Sequence, residues 1–257
     1  MGISSEDVDV FELAKLLNNL EHKIAPLSTI SCLDPKHKNR FVEMYNQCED
    51  INGVTEYKGL SQAKTTRKKG QILELLLKSM IAYTGDIFES YENLGTSTNE
   101  IDLYLRVREK YKVFLGNVID QRYKNIICEC KNYQDQVGVT YIGKFYSLIS
   151  ISHKNVAILV SWKGIGGEGW NDGVGLVKKI YMLHEKKEDK IYIIDFNKKD
   201  FQRIINGESL LSILDKKCEE LENDISFAQY IDRHPNQNEF ESKIQKILRP
   251  FQVLCKR

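Results

Sequence analysis

Apolar positions along this chain recur with two different periods, and the changes from one to the other mark where helices give way to strands. Over residues 6–23 the stripe Val10, Leu13, Leu16, Leu17 and Leu20 has helical spacing, with Ser4 or Ser5 placed to cap it and Pro26 to stop it. A second helical segment follows Pro35, over residues 37–47, with Phe41, Met44 and Tyr45 facing one way. Gly70 then opens a third, residues 71–83, where Ile72, Leu73, Leu75, Leu76, Leu77, Met80, Ile81 and Tyr83 are apolar almost all round. A helix of that kind is expected to be buried against a sheet. Glu74 is its odd residue, spaced for an ordinary i,i+4 pair with Lys78.

Period two takes over at residues 99–107, where Ile101, Leu103, Leu105 and Val107 share one face and Asp102 lies on the other. The stretch 108–124 is irregular, with room for a short strand at 112–115. In residues 126–131 the alternation returns: Ile126, Cys128 and Cys130 on one face, Ile127, Glu129 and Lys131 on the other. A helix is expected over 140–149 with Ile142, Phe145 and Leu148 inward, and the near-continuous apolar run 155–161 reads as a central strand. Residues 172–184 read as a helix and 190–196 as a second buried strand. Helices follow at 199–205, 209–223 and 239–248, the last two separated by the polar stretch 232–238. The alternation predicts a mixed α+β sandwich, a central sheet covered by helices. It divides the chain into a helical N-terminal segment (1–69), a core (70–198) and a helical C-terminal segment (199–257).

Composition adds little to this and removes several function classes. At 257 residues, 42% hydrophobic and 28% charged, the chain is an ordinary soluble type, and no apolar run approaches the roughly 18 residues of a membrane span. Residues 1–9 are polar and acidic, so no secretory signal is expected and a cytosolic location is. The six cysteines lack paired zinc spacing; Cys128 and Cys130, on the core face of their strand, read as buried thiols, and the other four are scattered. His22, His37, His153, His184 and His234 are isolated, and no Gly-x-Ser-x-Gly elbow supports acyl transfer. The run Gly164-Ile165-Gly166-Gly167-Glu168-Gly169-Trp170 lacks the Gly-Lys-Ser/Thr ending of a nucleotide-triphosphate loop. It reads as a strand-to-helix connection whose neighbours Trp162, Lys163 and Trp170 are suited to touch a nucleic-acid backbone or stack on a base.

A formal net charge of +1 hides local blocks. Lys64, Arg67, Lys68 and Lys69 fall within six residues without an acid, and from Arg122 to Lys163 six basic residues, Lys144 among them, face two acids. The flanks balance: ten basic against ten acidic residues over 1–69, and nine against nine over 201–257. Dimerisation or docking of a partner protein through them is as compatible with that balance as contact with DNA.

The chemistry lies where the two strand patterns meet. Carboxylates projecting from adjacent strands offer hard oxygen ligands of the kind Mg²⁺ or Mn²⁺ prefers, and a lysine one residue away on the same face stays charged beside them. Metal-dependent hydrolysis of a phosphodiester is the reaction such a cluster suits. Glu74 in a helix, Asp102 in a strand and Glu129-Cys130-Lys131 in the next resemble the PD-(D/E)xK nuclease superfamily and, more narrowly, Mrr-type restriction endonuclease-like domains. The resemblance covers roughly residues 70–196; Glu100-Ile101 stands where the superfamily's proline would precede the aspartate. It implies a restriction endonuclease-like core with a central mixed sheet. The activity implied is a Mg²⁺- or Mn²⁺-dependent DNA endonuclease, serving restriction or phage defence. It further implies that Asp102 and Glu129 are metal ligands, the Cys130 backbone carbonyl a further one, Lys131 catalytic, and Glu74 an auxiliary acting through a metal-bound water. Glu100, on the same face as Asp102, is expected to be solvent-exposed at the strand start, with an alternative or extra ligand as the second reading. Two rivals remain open: a protein of the same fold that binds nucleic acid or assembles without cutting, and a nuclease acting on RNA or on branched DNA in repair.

Overall fold

The computed structural model describes residues 31–95, 100–116, 119–167, 169 and 171–224. The expected helices at 6–23 and 239–248 lie outside these residues, as does Trp170. A 3-10 turn at Pro35–His37, capped by the Asp34 carboxylate accepting from Lys36 N at 3.0 Å, leads into α1, Lys38–Asn52. Phe41, Tyr45, Cys48 and Ile51 form its buried stripe.

The next helix, α2, spans Gln62–Tyr83 and so begins well before Gly70. An interior glycine costs about 1 kcal/mol against alanine, too little to end a helix rich in good formers. The buried Thr65 anchors its first turn, donating to Leu60 O at 3.3 Å and accepting from Tyr57 N at 3.1 Å. The basic block Lys64–Lys69 is therefore helical, and the boundary drawn at 69/70 falls inside α2. Its apolar coat is also less complete than the composition suggests, because Leu75 is 54% exposed.

Five strands follow: β1 Phe88–Gly95, β2 Glu100–Val107, β3 Asn125–Cys130, β4 Val156–Val160 and β5 Tyr192–Phe196. They form one mixed sheet in sequence order, antiparallel from β1 to β3 and parallel from β3 to β5. β1 escaped the sequence reading. It is an edge strand carrying exposed Tyr91 and Glu92, and its polarity masks the alternation. The strand entertained at 112–115 is instead the end of a one-turn helix, α3, Glu109–Lys112, and the turn after it. The parallel strands are joined by α4, Val139–Ser152, and α5, Gly173–Met182. Beyond β5 come α6, Lys198–Ile205, and α7, Leu210–Asp224.

Each face of the sheet has its own core. On one, Ile142, Phe145 and Ile149 of α4 and Val177 and Ile180 of α5 cover Ile127, Ala157, Leu159 and Ile193. On the other, Leu73, Leu76 and Met80 of α2 pack on Leu103, Leu105, Ile126, Cys128 and Ile158. Phe41 of α1, Phe201 and Ile204 of α6, and Ile213 and Leu214 of α7 join that second cluster. The flanking helices thus complete the core of the sheet. Among the described residues no helix is long and apolar enough to cross a membrane.

Candidate functional site

Pairing between β2 and β3 sets Leu103 against Cys128 and Tyr104 against Ile127. Continuing that antiparallel register by one step brings Asp102 opposite Glu129, both on the face away from Cys128. The side chains meet there. Asp102 Oδ2 accepts from the backbone N–H of Cys130 at 2.8 Å and lies 3.9 Å from Lys131 Nζ. Lys131 Nζ also contacts Glu129 Oε1. Three of the sequence-predicted residues are therefore assembled, and all are largely withdrawn from water, with side-chain exposures of 25% for Asp102, 14% for Glu129 and 25% for Lys131. Cys130 meets Asp102 through its amide, while its thiol points into the core of the opposite face.

Electrostatics within the cluster are those of partly buried charges. Burial pushes the Glu129 carboxyl above its ordinary pKa; the Lys131 bond opposes this and the Asp102 charge adds to it. Burial works against the Lys131 ammonium, but contact with Glu129 and the charge of Asp102 outweigh it, and its pKa is raised. Glu129 Oε2 is buried and has no hydrogen-bond partner. An unsatisfied carboxylate oxygen in that setting is costly, and a cation or a donor would relieve it.

Glu74 reaches the same region from α2. Its pKa is raised by burial first and by the Asp102 charge second, with Lys78 and Lys131 opposing. Lys78 does not form the simple i,i+4 pair; its Nζ bonds Glu92 Oε2 of β1 at 2.8 Å. Glu100 opens β2, but its side chain is not among those described.

The predicted nucleic-acid contacts divide. Lys64, Arg67 and Lys68 are exposed on α2. Lys69 is tied down: its Nζ donates to Val54 O at 2.9 Å, and its carbonyl accepts from Asn132 Nδ2 at 2.9 Å. That second bond fastens the end of the basic block to the residue after Lys131. Lys144 is exposed on α4, with its Nζ 5.5 Å from the Tyr141 ring centroid, and Lys163 is exposed beyond β4. The glycine-rich run is a pinned loop. Val137 N donates to Gly164 O at 2.9 Å, Gly166 N to Val137 O at 3.0 Å, and Val174 N to Gly166 O at 3.2 Å. Asp172 caps α5 through Gly175 N at 3.1 Å and also accepts from Gly169 N.

Sequence reasoning missed Asn132 and Tyr133. The Asn132 side chain is almost fully buried, with Oδ1 unpartnered, and the Tyr133 ring lies 4.6 Å from that of Tyr141. Burial and a bond to Tyr141 raise the Tyr133 hydroxyl's pKa, and the charges of Glu129 and Asp102 contribute, which puts this residue beside the carboxylates. Their signal was position alone, directly after the lysine.

Asp102 and Glu129 are the groups that can hold a hard cation: two oxygens on neighbouring strands, one of them buried and unpaired. Among the described residues no group of three or more His, Cys, Asp and Glu side chains is gathered to ligate a metal, so water or a phosphate oxygen would complete such a shell. No family model, curated protein or solved structure matches this chain.

Proposed function

We propose that this chain is a divalent-metal-dependent nuclease with a restriction endonuclease-like core, acting on phosphodiester bonds of DNA. The observation that carries the reading is the junction of Asp102, Glu129 and Lys131 at the end of β2 and β3, with Glu129 Oε2 buried and unpaired. The run α2, β1 to β3, α4 and β4 around that junction supports it, as does exposed positive charge at Lys64, Arg67 and Lys68, near the Lys69–Asn132 bond. Restriction or phage defence is the setting the resemblance suggests.

In this reading Asp102 and Glu129 would hold Mg²⁺ or Mn²⁺, and Glu74 would act on it through a water. The bound ion would acidify a water and neutralise charge on the phosphate. Lys131, kept protonated by the two carboxylates, is the cation beside them that would stabilise negative charge developing on the phosphate. Asp102 is held for its part by the Cys130 amide, so one of its oxygens keeps a fixed direction.

The test is incubation of the purified protein with plasmid and linear DNA in Mg²⁺ and in Mn²⁺, beside Lys131→Ala and Asp102→Asn. Metal-dependent cleavage by the wild type, lost in both variants with folding intact, is the expected result. Binding without cleavage in either metal would make the chain a non-cutting member of the same fold. Cleavage of RNA or branched DNA but not duplex would move it to repair or RNA processing.

A further inference from the structure

A cleft of about 920 Å³ opens at the carboxyl ends of the parallel strands. Asp135 and Gln136 form one wall, from the loop after β3. Trp162, Lys163 and the backbone of Gly164 and Gly166 come from the loop after β4, and Asp195, Asn197, Lys198 and Lys199 from the end of β5 and the start of α6. Crevices at this end of a parallel sheet are where open α/β folds receive ligands, because loops from several strands converge there.

The cleft adjoins the carboxylate cluster. Lys131 N donates to Val160 O at 2.8 Å, and the lining of the cleft begins at Asp135, beyond Lys131, and at Trp162, beyond Val160.

The cleft carries two exposed lysines beside two carboxylates, exposed Asp135 at the rim and half-buried Asp195. Lys163 and Lys199 are exposed, and neither ammonium is engaged by an acid among the described residues. Lys198 is otherwise occupied, paired with Glu49 and lying 5.8 Å over the Trp162 ring, so it builds the wall. Asp195 Oδ2 accepts from Asn197 Nδ2 at 2.9 Å, while Asp195 Oδ1 is buried without a partner. Gly164 sits at φ +76, and a Cβ there would come within 2.9 Å of Asp195 Oδ2, so only glycine lets this loop close on the Asp195–Asn197 pair.

We propose that this cleft is a subsite for the DNA strand being cut, gripping its backbone to one side of the scissile bond through Lys163 and Lys199. The assignment rests on the nuclease reading. It adds a direction, in which the strand runs from Lys131 across the ends of β4 and β5. Productive binding therefore requires nucleotides on that side of the cut.

The experiment uses the full chain carrying Glu129→Gln, so that DNA is bound but not consumed, and a fluorescein-labelled single-stranded 20-mer read by anisotropy over a salt series. Lys163→Glu/Lys199→Glu is compared with a charge-matched control at the amino ends of β4 and β5, Lys154→Glu/Lys186→Glu, with circular dichroism confirming both folds. The cleft variant is expected to bind roughly tenfold more weakly than the control, and its salt slope to fall by about 1, the loss of one or two phosphate contacts at about 0.7 each. Equal affinity and slope in the two variants would overturn the proposal. So would calorimetric binding of AMP that is lost in the cleft variant while strand affinity is unchanged, since the cleft would then take a free nucleotide. In the active background, Lys163→Ala/Lys199→Ala is expected to raise KM severalfold for the 20-mer annealed to its complement. Unchanged KM would sink the cleft and spare the nuclease. If no substrate is cut by any form, the nuclease reading fails, and the anisotropy comparison still decides the cleft.

Discussion

Asp102 and Cys130 are joined across β2 and β3 by a 2.8 Å bond from the Cys130 amide to Asp102 Oδ2, so the carboxylate proposed to hold a metal also closes the end of a strand pair. The two duties separate by substitution. Asp102→Ala leaves a partly buried N–H without its acceptor, a loss of about 1–3 kcal/mol. Asp102→Asn keeps an oxygen in place and is expected to stay within about 1 kcal/mol of the wild type. Both should lower cleavage by at least about a hundredfold. Thermal melts beside plasmid cleavage check this; Asp102→Asn cutting at the wild-type rate would remove Asp102 from the site.

Glu129 makes a prediction about pH. Burial raises its folded pKa, so between the unfolded value of about 4.3 and the folded one the native protein holds a proton that the unfolded chain has released. The stability tied to that proton is complete at low pH and is lost as pH rises through the folded pKa. Glu129→Gln, neutral at every pH, should therefore gain on the wild type as pH rises from 4.5 to 8. Melting curves at the two ends of that range measure it. A constant gap, or a variant that loses ground at pH 8, would mean that the Lys131 contact outweighs burial.

Much of this arrangement was legible in the chain. Alternation in 126–131 put Glu129 and Lys131 on one face, and β3 runs as that pattern requires, with Cys128 and Cys130 buried on the other. Asp102 followed from the same argument in β2. What escaped depends on partners distant in sequence. Asn132 matters because Lys69 O lies 2.9 Å away across 63 residues, and no local period records that. β1 was hidden because an edge strand needs few apolar residues, and the start of α2 because Gly70 reads as a breaker when Thr65's bonds to Tyr57 and Leu60 are unknown. The glycine run was read as a strand-to-helix connection, and its hold by Asp172 and Val137 depends on bonds that its composition does not record.

That loop gives its own test. Gly167 has φ +89, and a Cβ there would collide with the Asp172 side chain, which caps α5. Gly167→Ala is expected to cost about 1–3 kcal/mol from backbone conformation and displaced cap together. Asp172→Ala, losing the cap alone, should cost about 1 kcal/mol. The measurement is chemical denaturation of each variant; a Gly167→Ala protein as stable as wild type would show the loop free to rearrange.

Metal binding can be read without catalysis. A ligand that binds only the native state stabilises it by RT ln(1 + [L]/Kd), about 2.7 kcal/mol at a hundred times Kd. For a protein of this size that is a rise of roughly 5–10 °C in Tm. Mn²⁺ titrated into the wild type at pH 7.5 is expected to raise Tm toward that range, because the ion relieves the unpaired Glu129 Oε2 and the repulsion among Asp102, Glu129 and Glu74. Glu129→Gln should abolish the rise, and Glu74→Gln, one water removed from the ion, should only weaken it. Lys131→Ala should steepen it, since the ammonium competes with the cation for Glu129 Oε1. An equal rise in wild type and Glu129→Gln would place the ion elsewhere and withdraw the metal from this site.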